Sequence, residues 1–150
     1  MRAPKALERL LRVRGVEEKQ RRLSLETAAA RLKSLQKASE AALESEKQGR
    51  SRQTVGMISG SIADRQAGAV EEESARRRAL LLKARIAAAE QEAAARRREY
   101  FEKRVERRQA EILVEKAAAR EELESGRKTQ QQVDDWYGAR NHRQAADECS

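Results

Sequence analysis

The chain has 150 residues, with 33 Lys and Arg against 25 Asp and Glu and a net charge of +8. Leu, Ile, Val and Phe together number 25, about 17% of the chain, too little large apolar surface for a layered globule. Ala, Glu, Lys, Leu and Arg make up 94 residues, the composition of long helices or coiled coil, and after the one proline, Pro4, no residue interrupts a helix by removing a backbone donor. One cysteine, Cys149, and one histidine, His142, exclude a disulfide framework and a Cys/His metal site. The longest run of large apolar residues, Leu80–Leu82, is far below the roughly 18 needed to span a membrane, and no apolar leader follows the basic N-terminus. A cytosolic location is therefore expected. Neither glycine-rich phosphate-loop pattern is present, so the chain has no nucleotide site of its own and no expected cofactor or small-molecule substrate.

In chain order, the first predicted element is a helix over about residues 5–48. Leu25, Ala28, Leu32, Leu35, Ser39 and Ala42 alternate steps of three and four, the seam of a two-helix coiled coil. Leu7, Leu11, Val16 and Leu23 extend it upstream, with a stutter or bend expected between Arg14 and Arg21, where Gly15 also lies. Four of the seven glycines, Gly49, Gly56, Gly60 and Gly68, then fall within twenty residues among Ser51, Thr54, Ser59 and Ser61, which predicts a turn region over about 49–69.

The second helix is expected over about 70–137, followed by a polar tail at 138–150. Its seam reads Leu82, Ile86, Ala89 and Ala93, then a stutter through Arg97 and Phe101 to a second stripe. That stripe runs Val105, Gln109, Ile112, Lys116, Ala119, Leu123, Gly126, Gln130, Val133, Tyr137. Seams so poor in Leu and Ile need a partner close by, and the turn supplies one. The expected fold is thus all-α, a single domain over 1–150 built as a long antiparallel two-helix coiled-coil hairpin with unequal arms.

Charge is segregated along the second arm. Arg76 to Arg108 holds 12 basic and 5 acidic residues, and Glu111 to Glu124 holds 5 acidic and 2 basic. A cationic band on a helix is most simply a solvated face with i,i+4 partners; the sharper alternative is a basic coiled-coil adaptor binding nucleic acid or ribosome. Asp134-Asp135-Trp136-Tyr137 is the densest chemical feature. Adjacent helical residues diverge by about 100°, so the two carboxylates cannot flank one bond. Trp136 and Tyr137 are expected to close the hairpin against Leu7 and Leu11, to anchor a partner at its end, or both.

Three stretches carry a family likeness: LERLLRVRGVEEKQ (Leu7 to Gln20), VGMISGSIADRQ (Val55 to Gln66) and ESGRKTQQQVDDWYGAR (Glu124 to Arg140). In them the chain resembles the FliJ family, the coiled-coil stalk proteins of the flagellar type III export apparatus and its injectisome relatives. The resemblance implies a non-catalytic hairpin, similar to the central stalk of rotary ATPases, that binds and activates the hexameric export ATPase and links it to the membrane export-gate protein. It also implies binding of export chaperones, which it assigns to no residue here. The implied ATPase-facing residues are Leu7, Leu11, Arg12, Arg14, Gln131, Asp134 and Trp136. The implied gate-facing residues are Ala38, Ala42, Ser45, Glu72, Arg76 and Ala79, small or charged where the family often carries aromatic and bulky side chains.

The seam assignment has a direct check. Replacing Leu32 and Leu35 together with Asp is expected to melt the hairpin, seen as loss of the cooperative thermal transition in far-ultraviolet circular dichroism.

Overall fold

The computed structural model describes residues 4–148, and the expectation about Cys149 falls outside them. Two helices account for almost all of this span: α1, Lys5–Ser59, and α2, Ile62–Glu148. They pack against each other as an all-α two-helix hairpin. The carbonyl of Pro4 starts α1 by accepting from the backbone N–H groups of Leu7 and Glu8 at 2.8 and 3.2 Å.

The connection is far tighter than the glycine content suggests. The expected turn region at 49–69 is helical except for Gly60 and Ser61, and the expected tail at 138–150 continues as helix to Glu148. Gly60 takes φ +75°, the left-handed conformation that ends helices with least cost when no Cβ is present. Ser61 then caps α2: its Oγ accepts from the Asp64 backbone N–H at 3.2 Å, and its carbonyl accepts from Arg65 N–H at 3.2 Å.

The other three glycines of that stretch are there for contact between helices. A Cβ on Gly49 would lie 2.7 Å from the Glu72 backbone nitrogen and 2.8 Å from the Gly68 carbonyl oxygen; one on Gly68 would lie 2.7 Å from the Gly49 carbonyl oxygen; one on Gly56 would lie 2.8 Å from the Arg65 nitrogen. These are backbone atoms that cannot move aside as a side-chain tip can. The two backbones approach so closely that only glycine fits.

The chain divides into two units. In the unit formed by residues 19–102, α1 presents Leu25, Ala28, Leu32, Leu35, Ser39, Ala42, Gly49, Gln53 and Gly56 to α2, each at least half-buried. The facing residues include Ala75, Leu82, Ile86, Ala89, Arg96 and Tyr100. Ala75 is fully covered, and the buried apolar residues here are all alanines: Ala28, Ala42, Ala75 and Ala89. In the unit formed by residues up to Glu18 and from Lys103 onward, Leu7, Leu11, Arg14 and Glu18 face Lys103, Glu106, Ala110, Val114 and Ala117, with Ala110 buried.

Two sequence expectations are corrected here. Val16 and Leu23 are exposed, and α1 keeps its alternation of threes and fours through Arg14, Glu18 and Arg21 instead of slipping. On α2 no stutter occurs after Ala93: the seam continues through Arg96, Tyr100 and Lys103, while Phe101, Val105 and Gln109 face outward. Arg14, Arg21 and Lys103 hold the seam because the opposite helix supplies their counter-charges in Glu106, Glu99 and Glu17, while Arg96 pairs with Glu99 on its own helix, so the helices need not shift phase to find apolar partners.

The glycines give a sharp test. Gly49→Ala and Gly68→Ala, despite the higher helix propensity of alanine, are each expected to destabilise the hairpin by about 1 to 3 kcal/mol through overpacking. Gly15→Ala, where an added Cβ meets nothing within 4 Å, is expected to stabilise by about 0.5 to 1 kcal/mol. Thermal unfolding of the three variants checks the ordering.

Candidate functional site

Two closed rings of alternating charge cross the helix–helix interface, one in each unit. In the unit containing both termini, Arg14 Nη1 donates to Glu17 Oε2 at 2.8 Å and to Glu106 Oε2 at 2.6 Å. Lys103 Nζ completes the ring, 2.9 Å from Glu106 Oε2 and 3.7 Å from Glu17 Oε2. In the unit of residues 19–102, Arg50 lies between Glu46 and Glu72, and Arg76 lies between the same two carboxylates at 3.6 and 2.8 Å. Gln53 Nε2 adds a hydrogen bond to Glu72 Oε2 at 2.6 Å.

Each ring combines one i,i+3 or i,i+4 pair from α1 with one of the same polarity order from α2. Running the helices in opposite directions turns equal orders into complementary ones: Glu46 meets Arg76, and Arg50 meets Glu72. A parallel pairing would set like charges opposite. Further cross-helix pairs join Arg21 to Glu99 at 3.0 Å, Arg31 to Glu92 at 3.7 Å, Arg107 to Glu18 at 2.9 Å and Arg52 to Asp64 at 3.3 Å.

These contacts hold particular carboxyl groups below the usual carboxylate range. For Glu17 the main cause is the hydrogen bond from Arg14, with Lys103 acting in the same direction. For Glu72 it is the hydrogen bond from Arg50, followed by that from Gln53. For Glu111 it is the hydrogen bond from Arg108.

Half of the cationic band is compensated by its own chain. Arg76, Arg77, Arg96, Lys103, Arg107 and Arg108 all sit in ion pairs, and Arg97 lies over the Phe101 ring, 5.8 Å from its centroid. A band so neutralised offers fewer free cations to phosphates than the sequence count suggests.

The residues implied for ATPase contact are not brought together. Leu7 and Leu11 are half-buried in the seam, Arg14 belongs to the ion ring, and Arg12 is exposed. Gln131, Asp134 and Trp136 are all exposed, far along α2. Counting nine residues back from Arg14 to Lys5, and nine forward from its partner Glu106, ends at Glu115. Half-burial on α2 reaches a little further, to Ala117 and Ala118, and from Ala119 to Gln144 every side chain but Ser125 is exposed.

Trp136 and Tyr137 therefore do not close the hairpin on Leu7 and Leu11. They are 56% and 54% exposed and meet each other edge-on at 5.0 Å, with Arg140 over the Trp136 ring at 5.5 Å. Asp134 Oδ1 accepts from Gln130 Nε2 at 2.9 Å.

The residues implied for gate contact divide between packing and charge. Ala42 is buried and Ala79 half-buried in the seam, Ser45 is half-buried beside Glu71, and Glu72 and Arg76 belong to the ion ring. Only Ala38 and Arg76 are exposed. What the sequence reading passed over is an apolar cluster around the turn: Val55, Met57, Ile58 and Ile62 are all exposed, Ile58 to 84%. A run of large apolar residues inside a glycine-rich stretch was the available signal. Among the described residues no group of His, Cys, Asp or Glu is placed to hold a metal ion, and no helix is long and apolar enough to cross a membrane.

The lowered carboxyl groups predict an acid-sensitive hairpin. Groups whose folded pKa is depressed stabilise the fold above the unfolded glutamate value of about 4.3 and lose that contribution as pH falls through their folded values. The melting temperature is expected to change little from neutral pH down to about 5 and to fall progressively below about 4. A Glu17→Gln/Glu72→Gln variant is expected to melt lower at neutral pH and to show a smaller acid decline. Comparison of the chain with protein-family models, with curated proteins and with solved structures finds no match.

Proposed function

We propose that this chain is a non-catalytic stalk component of the flagellar type III protein export apparatus, acting in the cytoplasm at the inner membrane. It binds and activates the hexameric export ATPase and links it to the membrane export gate. The reading rests on the three stretches that resemble the FliJ family and on one structural observation. Helix α2 outruns α1, and its unpartnered part carries the exposed Trp136–Tyr137 pair beside Asp134 and Asp135. Trp and Tyr supply much of the energy of protein interfaces, and a flanking carboxylate pair adds selectivity for a basic surface.

Within this proposal the ATPase contact lies on the α2 extension, at Gln131, Asp134 and Trp136, while Leu7, Leu11 and Arg14 act behind it by holding the helices together. The gate contact lies on the helices flanking the turn, with Ala38 and Arg76 exposed there, and extends to the exposed apolar residues Val55, Met57, Ile58 and Ile62 at the turn itself. Pairing of half of the band's cations with carboxylates of the same chain weakens the case for a nucleic-acid or ribosome adaptor, whose affinity would depend on free cations.

The test is stimulation of a purified export ATPase by the purified chain, with nuclease present. Stimulation is expected to persist, and its absence would overturn the proposal. Trp136→Ala is expected to raise the concentration needed for half-maximal stimulation by about tenfold or more. Arg97→Ala, which removes only a cation over Phe101, is expected to leave it nearly unchanged; the reverse ranking would move the contact to the cationic band.

A further inference from the structure

We propose that the hairpin exchanges with a second fold of the same chain, in which Gly60 and Ser61 straighten into helix and two copies pair antiparallel, α1 of each against α2 of the other. The partner is a second copy of this chain, and the surface it occupies is the hairpin's own seam. The inference concerns the chain alone and does not rest on the export reading.

Three observations lead to it. The first is the symmetry of the register about the link. Gly56 and Arg65, which meet closely across the interface, each stand fifth from the bond between Gly60 and Ser61. The cross-helix pairs of the two charge rings are Arg50 with Glu72, Glu46 with Arg76, Arg14 with Glu106 and Glu17 with Lys103, and each departs from equal distance by a single residue. Two straight helices related by a two-fold axis at that bond set each residue against the one equally far on the other side. Equal distance is the condition an antiparallel pair of copies imposes, and the hairpin already meets it. The rings re-form between chains with the same partners and polarity, twice by symmetry.

The second observation is that the seam carries through the link. The inward-facing positions from Ala42 to Gly56 on α1 and from Asp64 to Leu82 on α2 fall into one series when Gly60 is counted as a member, recurring about every 3.6 residues. That is the period of a straight α-helix, so an uninterrupted helix keeps both seams on one face past the link. Gly56, Gly60, Ser61 and Gly68 put small residues where the two copies cross.

The third is how little holds the turn. Gly60 and Ser61 are the only residues between α1 and α2, and Gly60, at φ +75°, is the one residue with positive φ among those described. A Cβ at Gly60 would meet nothing within 4 Å, so glycine answers there to the backbone conformation and not to crowding. The turn leaves the last carbonyls of α1 and the first N–H groups of α2 without helical partners, and straightening restores those bonds at both links. Against this stands closure: a short link holds the two halves at an effective concentration on the order of millimolar. The hairpin therefore prevails in dilute solution, and the paired form grows with concentration. A tight connection between long elements is the setting in which identical elements exchange between copies. The paired form carries two exposed Trp136–Tyr137 pairs, one from each chain, and is bivalent toward whatever binds there.

The experiment is sedimentation velocity on the full chain, heated and slowly cooled at concentrations up to about 1 mM, with far-ultraviolet circular dichroism on each sample. The wild type is expected to give a dimer whose share rises with the concentration at cooling, and a chain that stays monomeric throughout would overturn the proposal. Gly60→Ala makes the left-handed turn costly and the straight helix easier, and is expected to lower the midpoint concentration by about a hundredfold or more; an unchanged midpoint would overturn it. Ile62→Pro acts the other way. Residue 62 is the first position of α2, where proline suits the hairpin, but it lies inside the straightened helix, which proline breaks. This variant is expected to keep the spectrum and thermal transition of the dilute wild type and to lose the dimer. A Gly-Ser-Gly-Ser insertion between Gly60 and Ser61 interrupts the straight helix without proline and is expected to lose the dimer as well. A dimer that persists in both would overturn the proposal.

Exchange itself is read by oxidative cross-linking in a Cys149→Ser background. Ser45 Oγ and Glu71 Oε1 lie 3.5 Å apart across the seam. Ser45→Cys chains cooled together with Glu71→Cys chains are expected to form a mixed disulfide-linked dimer, and neither is expected to cross-link alone. Hairpins joined by an outer face cannot form that bond, so a dimer without it would overturn the pairing.

Discussion

How closely two helices can approach each other governs this protein. The chain has few large apolar side chains to bury, and its buried apolar residues are alanines. An alanine removes little area from water by itself, so packing has to come from backbone and Cβ atoms in dense contact along the whole interface. Gly49, Gly56 and Gly68 carry this to its limit near the turn, where added methyl groups would strike the opposite backbone. Small residues give the helices proximity, and proximity puts long charged side chains within reach of one another.

Electrostatics then settles which way the helices run. Alanine seams look much alike in either direction and discriminate weakly between alignments. The two charge rings discriminate strongly, because Glu46-to-Arg50 and Glu72-to-Arg76 have the same order and become complementary only when antiparallel. The ring of Arg14, Glu17, Lys103 and Glu106 repeats the device with opposite polarity. A single partly exposed ion pair contributes little. Its value here is specificity: a shift of the pairing would set like charges against each other around every ring. The two-residue connection through Gly60 and Ser61 imposes the same direction covalently.

Beyond the hairpin, α2 continues with a different face to offer. The apolar cluster of Val55, Met57, Ile58 and Ile62 around the turn is a separate surface with a separate chemistry, suited to burial against an apolar partner.

Much of this protein was legible before any coordinates. Composition dictated helix, and the spacing of Leu25, Ala28, Leu32, Leu35, Ser39 and Ala42 identified the seam of α1, because apolar periodicity is a local property of the chain. The number and direction of the helices followed from the need of thin stripes for a nearby partner. Three things only the tertiary structure decided. Glycines signal both turns and close contacts, and which one applies depends on what lies opposite: Gly60 turns the chain, whereas Gly49, Gly56 and Gly68 touch a backbone that sequence alone does not bring near. Charged residues at Arg14, Arg21 and Lys103 look like interruptions of a seam until their counter-charges on the other helix are seen, and so the sequence predicts a stutter where none exists. The place of Trp136 depended on the alignment of α1 with α2, which the turn and the rings set from a distance. Periodicity is written along one helix, but alignment is a property of two.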